Sequence, residues 1–432
     1  MNKYSSYKQS NIDWVGEIPS HWEIVPPKYK LNKITRQIEE GDEVITCFRD
    51  GVVTLRKNRR EDGFTNSIKE HGYQQIHPGD LVVHEMDGFA GAIGISDSKG
   101  KSTPVYTVIK PDHRTDLKYV SFLLREMSQT GKIESLAKSI RERTTDFRWN
   151  MWSVIDFPFP PVEEQKLISL YLEKKTNQID LLVDKIQKKI QVLKEQRTSL
   201  INHYVTRGLN QNQELKHSGV DWIGDIPKHW NISKFKYVTN LYSGNSLNEY
   251  QKNEFQSENP EDIPYISSRD IDAVLQNINY DNGLRIPRNN NNFKIAPKGS
   301  FLMVIEGGSA GKKIAFLEQE VCFVNKLCVF NSKENTKYHY YFVQSKIYQN
   351  KFESLISGLI GGVSISNLKS IELILPSLQE QNDIVDVLDE KTKKIDLLIE
   401  MENNRISLLT EQRKSLISAV VKGKYKINED ML

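Results

Sequence analysis

The run Gly307-Gly308-Ser309-Ala310-Gly311-Lys312-Lys313 comes nearest to a phosphate-binding loop, in which backbone N–H groups and a lysine cradle phosphates while a Ser or Thr holds magnesium. It departs at both ends: Glu306 stands where the first glycine belongs, and Lys313 where the hydroxyl is needed. Its duplicate, Gly88-Phe89-Ala90-Gly91, has no lysine following, so a turn between strands accounts for both. His84-Glu85 lacks the second histidine of a zinc-protease helix, and the 9 histidines show no ligand spacing. Glu173-Lys174-Lys175 has a nuclease-like order but sits in a strongly helical stretch, where a solvated helix face explains it better. Asn259-Pro260-Glu261-Asp262 is the nearest approach to an amino-methyltransferase tetrapeptide and lacks the aromatic that stacks on a flipped base.

Positive charge in local clusters is a better lead. Between Arg49 and Arg60 the chain carries Arg49, Arg56, Lys57, Arg59 and Arg60 against the single acid Asp50. Arg141, Arg143 and Arg148 follow, interleaved with Phe147 and Trp149. Further on come Arg269, then Arg285, Arg288 and Lys294 in an acid-free stretch around a run of asparagines, then Lys312 and Lys313. Arginine and asparagine carry the paired donors and acceptors that read guanine and adenine in the major groove, and lysines hold phosphates. The alternative for each residue singly is ordinary surface charge.

The whole chain is only mildly basic, +3 over 432 residues with a pI near 8.4, so clustering and not net charge carries the nucleic-acid reading. With 38% hydrophobic and 27% charged residues the composition is that of a soluble globular protein of two or three domains. Cys47, Cys322 and Cys328 form neither a disulfide framework nor a metal set, which favours free thiols in a reducing cytoplasm. No apolar run approaches the roughly 18 residues that span a bilayer, so no membrane partner is expected.

The elements that would position these clusters are written twice. Asp13-Trp14-Val15-Gly16-Glu17-Ile18-Pro19-Ser20-His21-Trp22 returns 208 residues later as Asp221-Trp222-Ile223-Gly224-Asp225-Ile226-Pro227-Lys228-His229-Trp230. Glu164-Gln165, Ile179-Asp180-Leu181-Leu182 and Glu195-Gln196-Arg197 return at an offset of 216 as Glu380-Gln381, Ile395-Asp396-Leu397-Leu398 and Glu411-Gln412-Arg413. Copies this long indicate a duplicated domain pair and not a solenoid. Each copy opens with a mixed region, with strands expected around 80–83, 105–109, 300–305 and 327–330 and short helices over 117–127 and 338–352.

Each copy then ends in a helix. Ile179, Leu182, Val183, Ile186, Ile190, Leu193 and Leu200 draw one apolar stripe, and Ile395, Leu398, Ile399, Ile406, Leu409 and Leu416 a second, broken by Glu402, expected to face solvent or a partner. No proline or glycine interrupts Gln165 to Arg207 or Gln381 to Lys422, so each can run as one helix of about 40 residues. A long amphipathic helix must bury its stripe, and its duplicate is the natural partner; packing on its own domain is the alternative.

The repeated Asp-Trp-(Val/Ile)-Gly-(Glu/Asp)-Ile-Pro-x-His-Trp, the paired Ile-Asp-Leu-Leu and Glu-Gln-Arg-x-Ser-Leu-Ile, and the order domain, helix, domain, helix resemble the specificity subunits of type I restriction-modification systems over essentially the whole chain. The resemblance implies an α+β fold: two similar mixed α/β target recognition domains, 1–160 and 209–375, separated by a long antiparallel two-helix coiled coil formed from 161–208 and 376–432, with an internal pseudo-two-fold repeat. It implies a non-catalytic DNA-binding subunit that recognises an asymmetric bipartite target in double-stranded DNA. Its partners would be two methyltransferase subunits and restriction/translocase subunits. S-adenosylmethionine, ATP and magnesium would belong to those partners and no cofactor to this chain. The rival readings are a coiled-coil scaffold with an incidental basic surface, and an enzyme fused to a recognition module.

Overall fold

The computed structural model describes the chain except residues 1, 60–70, 137–146, 211, 274–275 and 360. The chain divides into two compact units, one made of Met1–Lys185 with Arg405–Leu432 and the other of Ile186–Asn404. The division passes through both long helices, so each unit holds one mixed domain and part of each helix.

In the first unit a four-stranded antiparallel sheet has the order Asn32–Ile34, Tyr106–Lys110, Leu81–His84, Ile93–Ile95. The second unit repeats it as Thr239–Ser243, Leu327–Ser332, Phe301–Val304, Ile314–Phe316. The two central strands of each sheet are mostly buried, which is why they read as apolar runs with little alternation. A helix follows the sheet in each unit, Leu117–Gln129 and Thr336–Gln344. The helix expected over 338–352 is two: Ser345 ends the first and caps Lys346–Ser354, its hydroxyl accepting from the Tyr348 amide. The second unit also carries a mixed sheet in the order Arg285–Ile286, Ile263–Ile266, Val321–Phe323, Ile295–Ala296. In the first unit the corresponding region holds two separate two-stranded ladders, Ile45–Cys47 with Val53–Leu55 and Gln74–Ile76 with Gly100–Ser102.

The residues that recur between the copies are those that join domain to helix. The first long helix is Val162–Arg207 and the second Leu378–Val421. In the first unit Trp22 Nε1 donates to Glu164 Oε1 at 3.0 Å and His21 Nε2 lies 2.8 Å from the other oxygen. In the second, Trp230 Nε1 donates to Glu380 at 3.2 Å and His229 lies 2.9 Å from the same oxygen. Burial raises the Glu380 carboxyl, but the bonds from His229 and Trp230 outweigh it and hold it below the usual carboxylate range. Gln165 accepts from the Asp116 amide and donates to the Pro160 carbonyl; Gln381 does the same with Asn335 and Pro376. Tyr119 hydroxyl donates to the Pro158 and Val421 carbonyls, Tyr338 hydroxyl to those of Ile374 and Val205. Each domain is thus held by the start of one long helix and the end of the other.

Those helix ends depend on glycine. Gly208 (φ 70°) and Gly423 (φ 70°) are left-handed, and a Cβ at either would lie within 3.0 Å of the ring of Trp230 or Trp22 respectively.

Between the helices the seam differs from the expected stripe. Ile186, Ile190, Leu193, Ile395 and Ile399 are buried, and Ile179, Leu182, Leu200, Ile406, Leu409 and Leu416 are half-buried. Leu398 is 42% exposed, and its neighbour Ile399 takes that turn of the seam. Glu402 does not face solvent: it is 8% exposed and its Oε1 lies 2.5 Å from Lys189 Nζ. Arg197 meets Asp396 at 2.9 Å in the second unit, and Arg413 meets Asp180 at 2.9 Å in the first. In the second unit, partners rise along one helix as they fall along the other, from Lys189 with Glu402 to Arg197 with Asp396, so the strands of this helical pair run antiparallel.

His339 sits wholly buried beneath the second unit's sheet, its Nδ1 3.0 Å from Thr239 Oγ1, and burial pushes its pKa down to about 3. Between that value and the free-histidine value near 6.5 the unfolded chain binds a proton that the native chain does not. Stability is therefore intact above about pH 6.5 and falls by about 1.4 kcal/mol per pH unit below it. Urea unfolding at pH 7.5 and 5.5 is expected to show a loss of about that size, absent in His339→Gln; equal stability of the wild type at the two values would contradict it.

Candidate nucleic-acid interface

The basic residues of the first unit lie on and beside the ladder Ile45–Cys47 with Val53–Leu55. Arg49, 66% exposed at its side chain, meets Asp87 at 3.0 Å. Arg56 donates through Nε to Thr46 Oγ1, and Lys57 pairs with Glu43 at 2.5 Å. Arg59 grips both oxygens of Asp50 and lies 4.6 Å from the Phe48 ring centre, which holds that carboxyl below its usual range despite burial raising it. Arg148 is exposed, 3.8 Å from Glu85. Arg60, Arg141 and Arg143 lie outside the described residues.

In the second unit the same residue types follow the additional sheet and the turn before Ile314–Phe316. Arg288 is exposed, bonded to the Glu261 carbonyl and to Glu320. Lys294 is exposed with its amine on the Ser243 carbonyl, and Lys313 reaches the Ser268 carbonyl beside the exposed Arg269. Lys312 projects from the surface. Arg285 is different: its side chain is only 15% exposed and ties the Asp262 carbonyl to Asp281, so it braces the strand it belongs to more than it offers a donor.

Exposed ion pairs of this kind contribute at most about 1 kcal/mol, so their cations exchange readily onto phosphates or base edges. Arg36 and Asp80 are a contrast: Asp80 is fully buried and takes both guanidinium donors, a fold-holding pair.

The phosphate-loop-like run is a turn between strands. Ala310 N donates to Gly307 O and Gly311 N to Val304 O, and the chain enters the strand Ile314–Phe316 where a phosphate loop requires a helix. Gly307-Gly308-Ser309-Ala310-Gly311 also has the Gly-x-Ser-x-Gly spacing of a nucleophile elbow, but it lies between two strands where the elbow requires a strand followed by a helix. Glu173 sits on the first long helix, paired with Lys118 at 2.7 Å. Among the described residues no cluster of His, Cys, Asp and Glu has metal-ligand geometry, and no helix is long and apolar enough to cross a membrane. The three cysteines are buried free thiols, each pushed up by burial.

Sequence reasoning missed a cleft of about 700 Å³ in the first unit, walled by Gly51, Lys118, Arg125, Asp180 and Arg413. Arg125 bonds the Asp50 carbonyl, and burial followed by the nearby Arg413 charge lowers its pKa. A helical arginine looks like surface charge in a sequence, so only its partners reveal this role.

A family model described as a type I restriction modification DNA specificity domain matches residues 227–408. The putative type I restriction enzyme MjaX specificity subunit of Methanocaldococcus jannaschii is 22% identical over 445 residues, covering 98% of this chain and 98% of its own length. The type I restriction enzyme EcoKI specificity subunit of Escherichia coli strain K12 is 22% identical over 440 residues, covering 94% of this chain and 90% of its own. Among solved structures, a chain from a study of complex assembly and conformational transition in a type I R-M system shares the fold, with a TM-score of 0.67 at 13% identity over 94% of this chain and 99% of that one.

Proposed function

From the premise that this chain belongs to the specificity subunits of type I restriction-modification systems, whose work is DNA target recognition, we propose that it reads an asymmetric bipartite sequence in double-stranded DNA. It brings two methyltransferase subunits, and restriction/translocase subunits with them, to that sequence. The chemistry belongs to the partners, which bind S-adenosylmethionine, ATP and magnesium; this chain is non-catalytic and works in the cytoplasm.

One observation carries the reading. The two copies agree where domain grips helix and differ where cations are displayed, with an additional sheet in one unit and two short ladders in the other. Conserved grips with divergent surfaces are what two readers of different half-sites require. Recruitment of two like partners is supported by a second duplication. The first unit exposes Leu181 and Leu408 on its helix halves, and the second exposes Val192 and Leu397, the residues at the equivalent positions. Apolar side chains exposed at equivalent positions of both helices suit protein contact.

Binding of the methyltransferase-bound complex to duplex DNA, followed by fluorescence anisotropy across a salt series, tests the reading. The logarithm of affinity should fall linearly with the logarithm of salt, and Lys312→Ala should lower the slope by about 1 without altering sequence preference. A salt-independent, sequence-indifferent association would instead support the coiled-coil scaffold.

A further inference from the structure

The second unit fills a space that the first leaves open. Its helix Thr336–Gln344 meets the first long helix at Arg197, whose guanidinium bonds Gln344 Oε1 at 2.8 Å and Gln276 Oε1 at 3.4 Å. Buried Tyr340 donates its hydroxyl to the same Gln276 oxygen at 3.0 Å, and its ring packs edge-on against Phe301 and Phe316, with centroids 5.6 and 5.7 Å away. One carboxamide oxygen thus joins a donor on the long helix to a donor on the domain, and a phenol ring fills the space beside it.

The first unit keeps this frame and loses the filling. The Tyr119 and Tyr338 hydroxyls bond equivalent carbonyls and so set the two helices in register, which puts Ser121 in the place of Tyr340, Phe122 in that of Tyr341 and Arg125 in that of Gln344. Leu81 pairs with Ile95 in the sheet as Phe301 does with Phe316. The aromatic trio Tyr340, Phe301 and Phe316 is therefore Ser121, Leu81 and Ile95 in the first unit, with Arg413 and Asp180 where the second has Arg197 and Asp396. Ser121, Phe122, Ile95, Arg125, Asp180 and Arg413 all line the cleft of about 700 Å³, so it opens where the large ring is missing.

The exchange of Gln344 for Arg125 also changes the charge. The Arg125 guanidinium takes the space that a Cβ at Gly51 would need, and among the described residues its hydrogen bond goes to the uncharged Asp50 carbonyl. The carboxylates of the cleft are otherwise engaged. Arg59 holds that of Asp50, Lys118 that of Glu173 and Arg413 that of Asp180, while Asp97 is exposed and accepts from the Ser98 hydroxyl. Among the described residues Arg125 therefore has no carboxylate at ion-pair distance, at a position where the second unit has a neutral amide.

We propose that this cleft binds a small organic anion in which a flat ring is joined to a carboxylate or phosphate. The ring takes the space that Tyr340 fills in the second unit. The oxyanion joins Arg125 on the domain to Arg413 on the long helix, as the Gln276 oxygen joins Tyr340 to Arg197. Guanidinium donors suit either oxyanion, and a cleft of this volume takes molecules of that size. Once bound, the anion supplies the link between domain and helix that the second unit builds from its own side chains, and so stabilises the first. The inference goes beyond the DNA-target reading and does not depend on it.

The experiment is calorimetric titration of the full chain with para-hydroxyphenylacetate, adenosine monophosphate, inorganic phosphate and the uncharged para-hydroxyphenylacetamide. At least one of the two ring-bearing anions should bind with a Kd below about 1 mM and raise the thermal midpoint, and whichever binds tighter identifies the oxyanion. Inorganic phosphate and the amide should bind at least about tenfold more weakly. Ser121→Tyr, which puts back the ring of the second unit, should abolish binding without lowering the thermal midpoint of the free chain. Arg125→Gln should remove the preference for the anion over the amide, and this variant decides the matter where the new tyrosine impairs folding. Binding that survives both substitutions, phosphate binding as tight as that of the ring-bearing anions, or no saturable binding of either anion up to about 10 mM overturns the site. Each of these results leaves target recognition standing, because sequence-dependent methylation is measured separately.

Discussion

Trp230→Ala is expected to destabilise the second unit by about 3–5 kcal/mol, lowering its thermal midpoint by roughly 10 °C. Trp230 is fully buried, its ring pressed against Gly208 at the end of the first long helix and its Nε1–H donated to Glu380 at the start of the second. Truncation removes the ring that seats one helix end and the donor that fixes the other, and leaves a cavity the surrounding strands cannot close. Trp230→Phe keeps most of the packing and loses the donor, so about 1–2 kcal/mol is expected. Calorimetry of the two variants separates the contributions. A loss below about 1 kcal/mol for alanine would mean that domain and helices are joined by other residues.

The second large effect concerns the two seam arginines, which the duplication makes equivalent and the surroundings make unequal. Arg197 has a side chain 16% exposed and bonds Asp396 at 2.9 Å, Gln344 at 2.8 Å and Gln276 at 3.4 Å. Arg413 bonds both oxygens of Asp180, but its side chain is 26% exposed and that of Asp180 52%. The helix residue corresponding to Gln344 is Arg125, a like charge whose pKa burial lowers first and Arg413 second. Arg197→Ala should therefore cost about 2–4 kcal/mol and Arg413→Ala about 1 kcal/mol or less. A double-mutant cycle with Asp396→Asn should return a coupling of at least about 1 kcal/mol. Equal losses for the two arginines would show that the helix pair, and not the domain packed on it, sets their energies.

Both effects bear on what was legible in the sequence. The duplication and the long helices were, because identical residues at fixed offsets and an uninterrupted apolar stripe are properties of the chain itself. The buried strands were too, since Leu81–His84 and Phe301–Val304 are apolar on both faces. Hydrophobic periodicity could not find the seam positions held by Arg197, Glu402 and Arg413, because it counts only apolar residues. Of the neighbours Leu398 and Ile399, both on the apolar stripe, only Ile399 is buried, because it and not Leu398 fits the i, i+4, i+3 spacing from Ile395 through Glu402.

Of the candidate interface the sequence shows basic clusters, but not which of their cations are exposed. Arg285 and Lys312 read alike in the sequence, yet one braces a strand and the other stands free of the surface. The motif tryptophans read as a family signature, but their physical work is to seat helix ends, which is a relation between residues 142 and 150 positions apart.

Methyl transfer into a randomised duplex pool, by the methyltransferase with and without this chain and with sequencing of the products, addresses the central claim most directly. Methylation confined to one motif of two unlike halves at fixed separation, and lost when the chain is omitted, is the predicted result; the same methylation pattern without the chain would contradict it.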